Sequence, residues 1–341
     1  MKLTTTTMGL ALSFALSMFS LPGHAADTEI ELSFGHVDPQ EWTTSKKGAA
    51  AKVFKDMVEG QTGGRIAVNV YPSSQLGGEM DMLQTAQEGV LSMVMASGSF
   101  TQLCPEASVL NIPYLFPSAP VAWDVLDGPF GQALSDHCLE ETGLRILAYG
   151  ETGFRNFTNS KRPVAEPKDL DGLKIRVMTT PLFVEMVRAL GAEPTPIAWP
   201  EVPSALATGV VDGQENPIGT IYNMKFYQMQ DYLTLDGHVY GTDFLVINDD
   251  LFQSLSAEDQ RLVRNAARTA GLVGRAIQQV NSAEGLARLS DEGMTITTPT
   301  REQLGKFQQA AQPAVIEWLK GELDPAWITR VQDAVEQATA D

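Results

Sequence analysis

The chain switches repeatedly between two hydrophobic periods. Ile30-Glu31-Leu32-Ser33-Phe34 alternates apolar and polar residues, the period of a half-buried strand, and runs through Gly35-His36 into a loop. Ala49 to Val58 then carries apolar residues at helical spacing and stops near Gly60, ahead of the turn residues Gly63 and Gly64. Ile66, Val68 and Val70 form a second alternating strand, which Tyr71-Pro72-Ser73-Ser74-Gln75-Leu76-Gly77-Gly78 breaks. A helix over Glu79 to Glu88, closed by Gly89, leads into a strand over Val90 to Ala96. Strand, helix, strand in that order predicts an α/β lobe with a largely parallel sheet.

A second lobe repeats the plan. After a strand from Leu144 to Tyr149, Pro167-Lys168-Asp169-Leu170 reads as a short helical turn and Leu173 to Met178 as a strand. Thr180 is placed to cap a helix with Pro181 at its first position and Gly191 just past its end. A helix over Glu201 to Thr208, closed by Gly209, precedes Val210-Val211-Asp212-Gly213-Gln214-Glu215-Asn216-Pro217. The last third differs in kind. Phe244 to Asn248 reads as a strand, and Ser256 to about Glu292 is nearly unbroken helix-forming sequence with an acidic start. Such a helix, about 50 Å long at 1.5 Å per residue, exceeds one small lobe and is expected to lie across both. Arg301 to Gly321 and Pro325 to Ala340 read as closing helices.

Lys2, the apolar stretch Met8 to Leu21 and the small residues up to Ala25-Ala26 read as a secretory leader over residues 1–25. The expected location is therefore periplasmic. Lobe one is assigned to 27–152 with 240–280, and lobe two to 153–239 with 281–341. The fold class is α/β, a two-lobed binding protein with crossing strands and a long helix spanning both lobes. The formal charge is -18, which disfavours nucleic acid and anionic membranes as partners and requires any anionic ligand to meet a local basic site. Cys104 and Cys138 are the two cysteines. In an oxidising compartment they are candidates for a bridge, provided their Cα atoms come within disulfide range.

No enzyme constellation is visible. His24, His36, His137 and His238 are isolated, with no metal-ligand spacing, and there is no nucleophile elbow, phosphate loop or dinucleotide fingerprint. No metal or cofactor is expected. The informative residues stand where strands end, the edge at which open α/β sheets collect ligands. Arg176 lies on the opposite face of its strand from Ile175 and Val177, four residues before a helix start, and is a candidate carboxylate clamp. Arg155, Trp199, Asn216, His36 and Asp38 hold comparable positions with weaker individual signals.

At these same residues the chain resembles a known family, the solute receptors of tripartite ATP-independent periplasmic (TRAP) transporters of the dicarboxylate-receptor (DctP) type. The matching segments are Tyr71 to Gly77, Ile112-Pro113-Tyr114-Leu115-Phe116, Asp171 to Arg176, Gly191-Ala192-Glu193-Pro194-Thr195-Pro196 and Val210 to Pro217. The resemblance implies a monomeric receptor that closes on a small carboxylate and hands it to one large and one small integral-membrane subunit. A sensor subunit feeding a signalling kinase is the alternative, and a periplasmic enzyme a weaker one. By resemblance Arg176 grips the carboxylate, Asn216 hydrogen-bonds to the ligand, Trp199 packs on it, and Arg155 falls where many members place a second arginine. Asp38 and Phe100 match positions where an ectoine-binding relative holds a positively charged nitrogen and places an aromatic.

Thr179 and Tyr240 complete the candidate contacts. Sialic-acid receptors place an acid near Ala96 and an asparagine at Thr179, so a large sialic acid fits poorly. Hydroxy acids, sugar acids, dicarboxylates and zwitterions remain open. If Arg155, Arg176 and Asp38 all face the cleft, their charges sum to +1, which favours monocarboxylates bearing hydroxyl or amino groups. Hinges are expected near Gly150 to Gly153 and His238 to Thr242.

Overall fold

Two long antiparallel strands carry the architecture. A computed structural model of the chain describes residues 28–340, so the expected leader lies outside the described residues. The strands are β1 (Ile30–His36), β2 (Ile66–Tyr71), β3 (Met93–Ala96), β4 (Leu144–Asn159), β5 (Lys174–Val177), β6 (Glu193–Pro196), β7 (Gly213–Pro217), β8 (Tyr232–Asn248) and β9 (Thr295–Thr297). They form one sheet in the order β2-β1-β3-β8-β4-β7-β5-β6, with β9 beside β8. The alternation predicted only Leu144 to Tyr149 and Phe244 to Asn248, so the first of these strands ends later than expected and the second begins earlier. They run 16 and 17 residues, about 50 Å at the strand rise.

Their ends belong to different lobes. Leu245, Val246 and Ile247 of β8 pair with β3, whereas Arg155 to Asn159 of β4 pair with β7. Parallel pairs β1 with β2 and β3, and β5 with β6 and β7, complete the two flanking halves. The fold is therefore two-lobed, with crossing strands shared by both halves of a single sheet. At the crossing β4 bulges between Glu151 and Gly153, opposite Thr242 and Gly241. Gly153 has φ +106°, a conformation that calls for glycine, and a Cβ there would also displace the end of the Gln278 side chain.

The long helix Ala257–Asp291 starts at Ser256, whose side chain accepts from Asp259 N. It packs on the helix Lys46–Thr62, on β4 and on the helix Ile218–Asn223, and so spans both lobes. Small residues permit that approach. A Cβ on Gly271 would lie 3.0 Å from the Tyr149 carbonyl, and one on Gly285 2.7 Å from Ile218. Thr180 behaves differently from the expected cap. Its side chain makes no cap bond to the helix Pro181–Ala189 and instead reaches the Gly98 carbonyl, 3.4 Å away in the other lobe. Among the described residues no helix is long and apolar enough to cross a membrane.

Cys104 and Cys138 are bonded, with Cα atoms 5.4 Å apart. The bridge ties the 3₁₀ segment Pro105–Asn111 to the helix Pro129–Thr142. It closes a loop of 34 residues' separation, for which loop-closure entropy predicts about 3–4 kcal/mol. The Cys104→Ser/Cys138→Ser double variant should lose stability of about that size in urea denaturation. A loss within error of zero would show the bridge to be dispensable.

Candidate functional site

Between the lobes lies a cavity of about 150 Å³. Lobe one lines it with Asp38, Lys46, Lys47 and Glu79, β4 with Thr152 and Arg155, and lobe two with Arg176, Thr179, Trp199, Asn216 and Thr220. Four cations in one cleft of so acidic a chain require local compensation, because burial strips water from each.

Three of the four have it. Lys46 Nζ lies 3.0 Å from Asp38 Oδ2, and Lys47 Nζ lies 2.7 Å from Glu79 Oε1 and 3.4 Å from Asp243 Oδ1. Arg155 grips Glu215 with Nε and Nη2, and Nη2 also donates to the Glu215 carbonyl at 2.7 Å. Arg176 has no carboxylate partner among the described residues. Its Nε and Nη2 both donate to the Ile197 carbonyl, at 3.0 and 2.7 Å, and its guanidinium sits 5.7 Å from the centre of the Trp199 ring. Nη1 is buried and unpartnered. Burial pulls the Arg176 pKa down to about 10, with the nearby Glu215 carboxylate opposing the fall and the Arg155 charge adding to it.

Behind Arg155 the charges alternate. His238 Nε2 lies 3.2 Å from Glu215 Oε2, and His238 Nδ1 lies 2.7 Å from Asp236 Oδ2, all fully buried. Burial alone would lower His238, but Asp236 and then Glu215 raise it to about 9. Burial would likewise raise Glu215, yet Arg155 and His238 hold it at about 2. Asp38 is also held at about 2, with burial opposed by Lys46 and Lys47.

Of the residues singled out from sequence, Arg176, Arg155, Asn216, Trp199, Asp38 and Thr179 line the cavity. Asn216 Nδ2 donates to Gln214 Oε1 at 2.5 Å, and Gln102 reaches the Thr179 hydroxyl across the cleft at 3.3 Å. Three others lie outside the lining, which corrects the expectation for them. Phe100 is tucked by the 3₁₀ turn Gly98–Gln102 into the core against Phe244, 4.9 Å between centroids, and Ser97 and Ser99 take the cavity wall. Tyr240 is the register partner of Phe154, so it faces away from Arg155 and accepts from Trp123 Nε1 at 3.0 Å. His36 is fully buried behind Asp38 and Lys47, and burial lowers it to about 4.

Sequence reasoning missed Lys46, Lys47, Glu79 and Glu215. The helix was expected to start at Ala49, but it begins at Lys46, capped by Ser45, and its first turn holds two lysines and no acid. Cations at a helix N-terminus oppose the macrodipole. That local violation is the signal that points to a built site.

A cleft lined by paired charges and one unpaired guanidinium, between two lobes joined by crossing strands, defines a solute receptor. The chain belongs to the bacterial extracellular solute-binding protein family 7, which matches residues 34–321. A solute-binding protein of Verminephrobacter eiseniae is 40% identical over 253 residues, 74% of this chain and 75% of that protein. The ectoine/5-hydroxyectoine-binding periplasmic protein UehA of Ruegeria pomeroyi is 38% identical over 280 residues, 80% of this chain and 81% of its own. Among solved structures, a TRAP periplasmic solute binding protein from Polaromonas sp. JS666 bound to D-erythronate is 36% identical with a TM-score of 0.84, covering 89% of this chain and 98% of that one. The chain is thus a transport receptor of the TRAP type and not an enzyme.

The charge network fixes a pH profile. His238 has its folded pKa raised from 6.5 to about 9, so its contribution is complete below 6.5 and is lost as pH rises toward 9. Asp38 and Glu215 are depressed to about 2 from 3.8 and 4.5, so theirs is present above those values and lost as pH falls toward 2. His36, depressed from 6.5 to about 4, adds to the acid limb. Melting temperature against pH should therefore peak near 6.5 and fall on both sides, and His238→Gln should flatten the alkaline limb. An alkaline limb unchanged in that variant would contradict the assignment.

Proposed function

We propose that this receptor captures a small monocarboxylate in the cleft, with Arg176 as its anchor, and delivers it in the periplasm to the membrane subunits of its transporter. One observation carries the reading. Among the described residues Arg176 is the cavity-lining cation without a protein carboxylate, and its buried Nη1 lacks a partner there. A ligand carboxylate supplies both the charge and the acceptor. A second carboxylate would meet only cations already held by Asp38, Glu79 or Glu215.

The sum of +1 expected from Arg155, Arg176 and Asp38 left out Glu215 and Lys46. Arg155 and Asp38 are each paired within the protein, and Arg176 alone makes the demand for an anion. The D-erythronate bound by the Polaromonas relative has that chemistry, one carboxylate on a short hydroxylated chain. The receptor acts as a monomer of two lobes that part near residues 152 and 240, where the Glu151/Gly153 bulge faces Gly241 and Thr242.

Arg176→Ala should weaken D-erythronate by roughly 2–5 kcal/mol, the cost of truncating a buried charge pair. Calorimetry on the wild type and the variant measures it. A loss below about threefold, less than 1 kcal/mol, would overturn the anchor.

A further inference from the structure

A second concave surface shares no lining residue with the solute cleft. This groove, of about 420 Å³, runs between the helix Pro129–Thr142, the first residues of β4 and the first half of the helix Ala257–Asp291. It lies on lobe one, since Leu144 to Ala148 pair with the end of β8 that joins β3. Four arginines line it, Arg145, Arg264, Arg268 and Arg275, against two carboxylates, Asp127 and Asp136. In a chain of formal charge -18 this is a local inversion of sign.

Two of the arginines are already paired. Arg145 Nε lies 2.6 Å from Asp249 Oδ1, and Arg275 donates from both terminal nitrogens to Asp127, at 2.5 and 2.8 Å. Arg275 has a side chain only 4% exposed, and its buried Nε has no partner among the described residues. Arg264 and Arg268 are exposed and make no ion pair among the described residues. Arg264 is nevertheless held in place, its guanidinium 4.6 Å from the centre of the Phe252 ring, which Arg145 also meets at 5.2 Å.

The spacing separates this arrangement from scattered surface charge. Arg264, Arg268 and Leu272 follow one another at four-residue intervals on one helix, so their Cβ atoms stand about 5–6 Å apart along one face. Leu272 is 59% exposed and lines the same groove. Like charges at that interval repel each other, and opposing carboxylates relieve the repulsion. A small anion would meet the cations and leave Leu272 uncovered. An anionic bilayer would face the acidic surface around the groove, which repels it. A narrow polypeptide enters the groove, matches two cations with two carboxylates and covers Leu272.

We propose that this groove is a docking surface for an acidic polypeptide segment of a partner protein, one that presents two carboxylates and an apolar side chain at matching intervals. Because the groove lies within one lobe, its shape is kept when the lobes move, and docking does not depend on Arg176 or on the solute.

Fluorescence anisotropy tests this with a labelled alanine-based peptide carrying Glu, Glu and Leu at successive four-residue intervals. A Gln-for-Glu analogue and a scrambled peptide of the same composition serve as comparisons. At low ionic strength the wild type should prefer the Glu peptide to both by at least about tenfold, and added salt should weaken it. Arg264→Glu/Arg268→Glu should remove the preference, with melting temperature and D-erythronate affinity unchanged. Leu272→Gln should weaken the Glu peptide several-fold. Equal binding of the intact and scrambled peptides, or a preference that survives the charge reversal, overturns the proposal. Loss of D-erythronate affinity in the charge-reversed variant does so too, because the arginines would then support the solute cleft. Arginine-dependent retention on phosphatidylglycerol vesicles without peptide binding would assign the groove to a membrane surface. Arginine-dependent self-association in the ultracentrifuge without peptide binding would assign it to a second copy of the chain. Either result overturns the proposal.

Discussion

A charge buried between two lobes must find an opposite charge, and this requirement organises the molecule. Lys46, Lys47 and Arg155 each stand against a carboxylate from a different part of the chain, Asp38, Glu79 and Glu215. Removing one member of such a pair leaves a desolvated charge worth several kcal/mol of instability, so the pairs lock the cleft walls into one arrangement. Arg176 is left outside this pairing, held in place by the Ile197 carbonyl and the Trp199 ring. The ligand completes the pattern.

The backbone makes that pairing sensitive to lobe position. Arg155 and Glu215 sit on adjacent antiparallel strands, β4 and β7, so their contact survives any rigid movement of lobe two. Lys46 with Asp38 and Lys47 with Glu79 lie within lobe one in the same way. The cleft contacts that join the lobes are single hydrogen bonds without an opposing carboxylate, as in Thr180 with the Gly98 carbonyl, Gln102 with Thr179, Lys46 with Thr220 and Asn223 with the Thr44 carbonyl. Ion pairs thus hold each half of the site ready, and contacts without an ion pair join the halves, so a ligand that touches both biases closure.

Much of this was legible in the sequence, and the exceptions have physical causes. Periodicity located the Arg176 strand, the helix Pro181–Ala189 and the 35-residue helix, because each depends on local pattern and turn chemistry. It cut β4 and β8 short, since a crossing strand buried along its whole length changes surroundings halfway and shows no single alternation. The resemblance placed Arg176, Asn216 and Trp199 at the cleft, but it gave no account of what neutralises Arg155 or Asp38. Those partners come from tertiary packing. Glu215 reads in sequence as one more strand residue, and Lys46 as part of a linker before the helix. Phe100 and Tyr240 were drawn toward the site by position, while their side chains fall on the core side of a turn and of a strand.

Glu215 neutralises Arg155 within the protein, and on the proposed reading that leaves the cleft one unmatched cation. Glu215→Gln keeps the shape and removes the charge, leaving Arg155 as a second cation that needs a carboxylate. Calorimetric affinities for succinate and butanoate should then diverge, with the succinate-to-butanoate ratio rising by about tenfold or more over the wild type. A ratio unchanged by the substitution would show that Arg155 was never held out of play by Glu215, and would contradict the account.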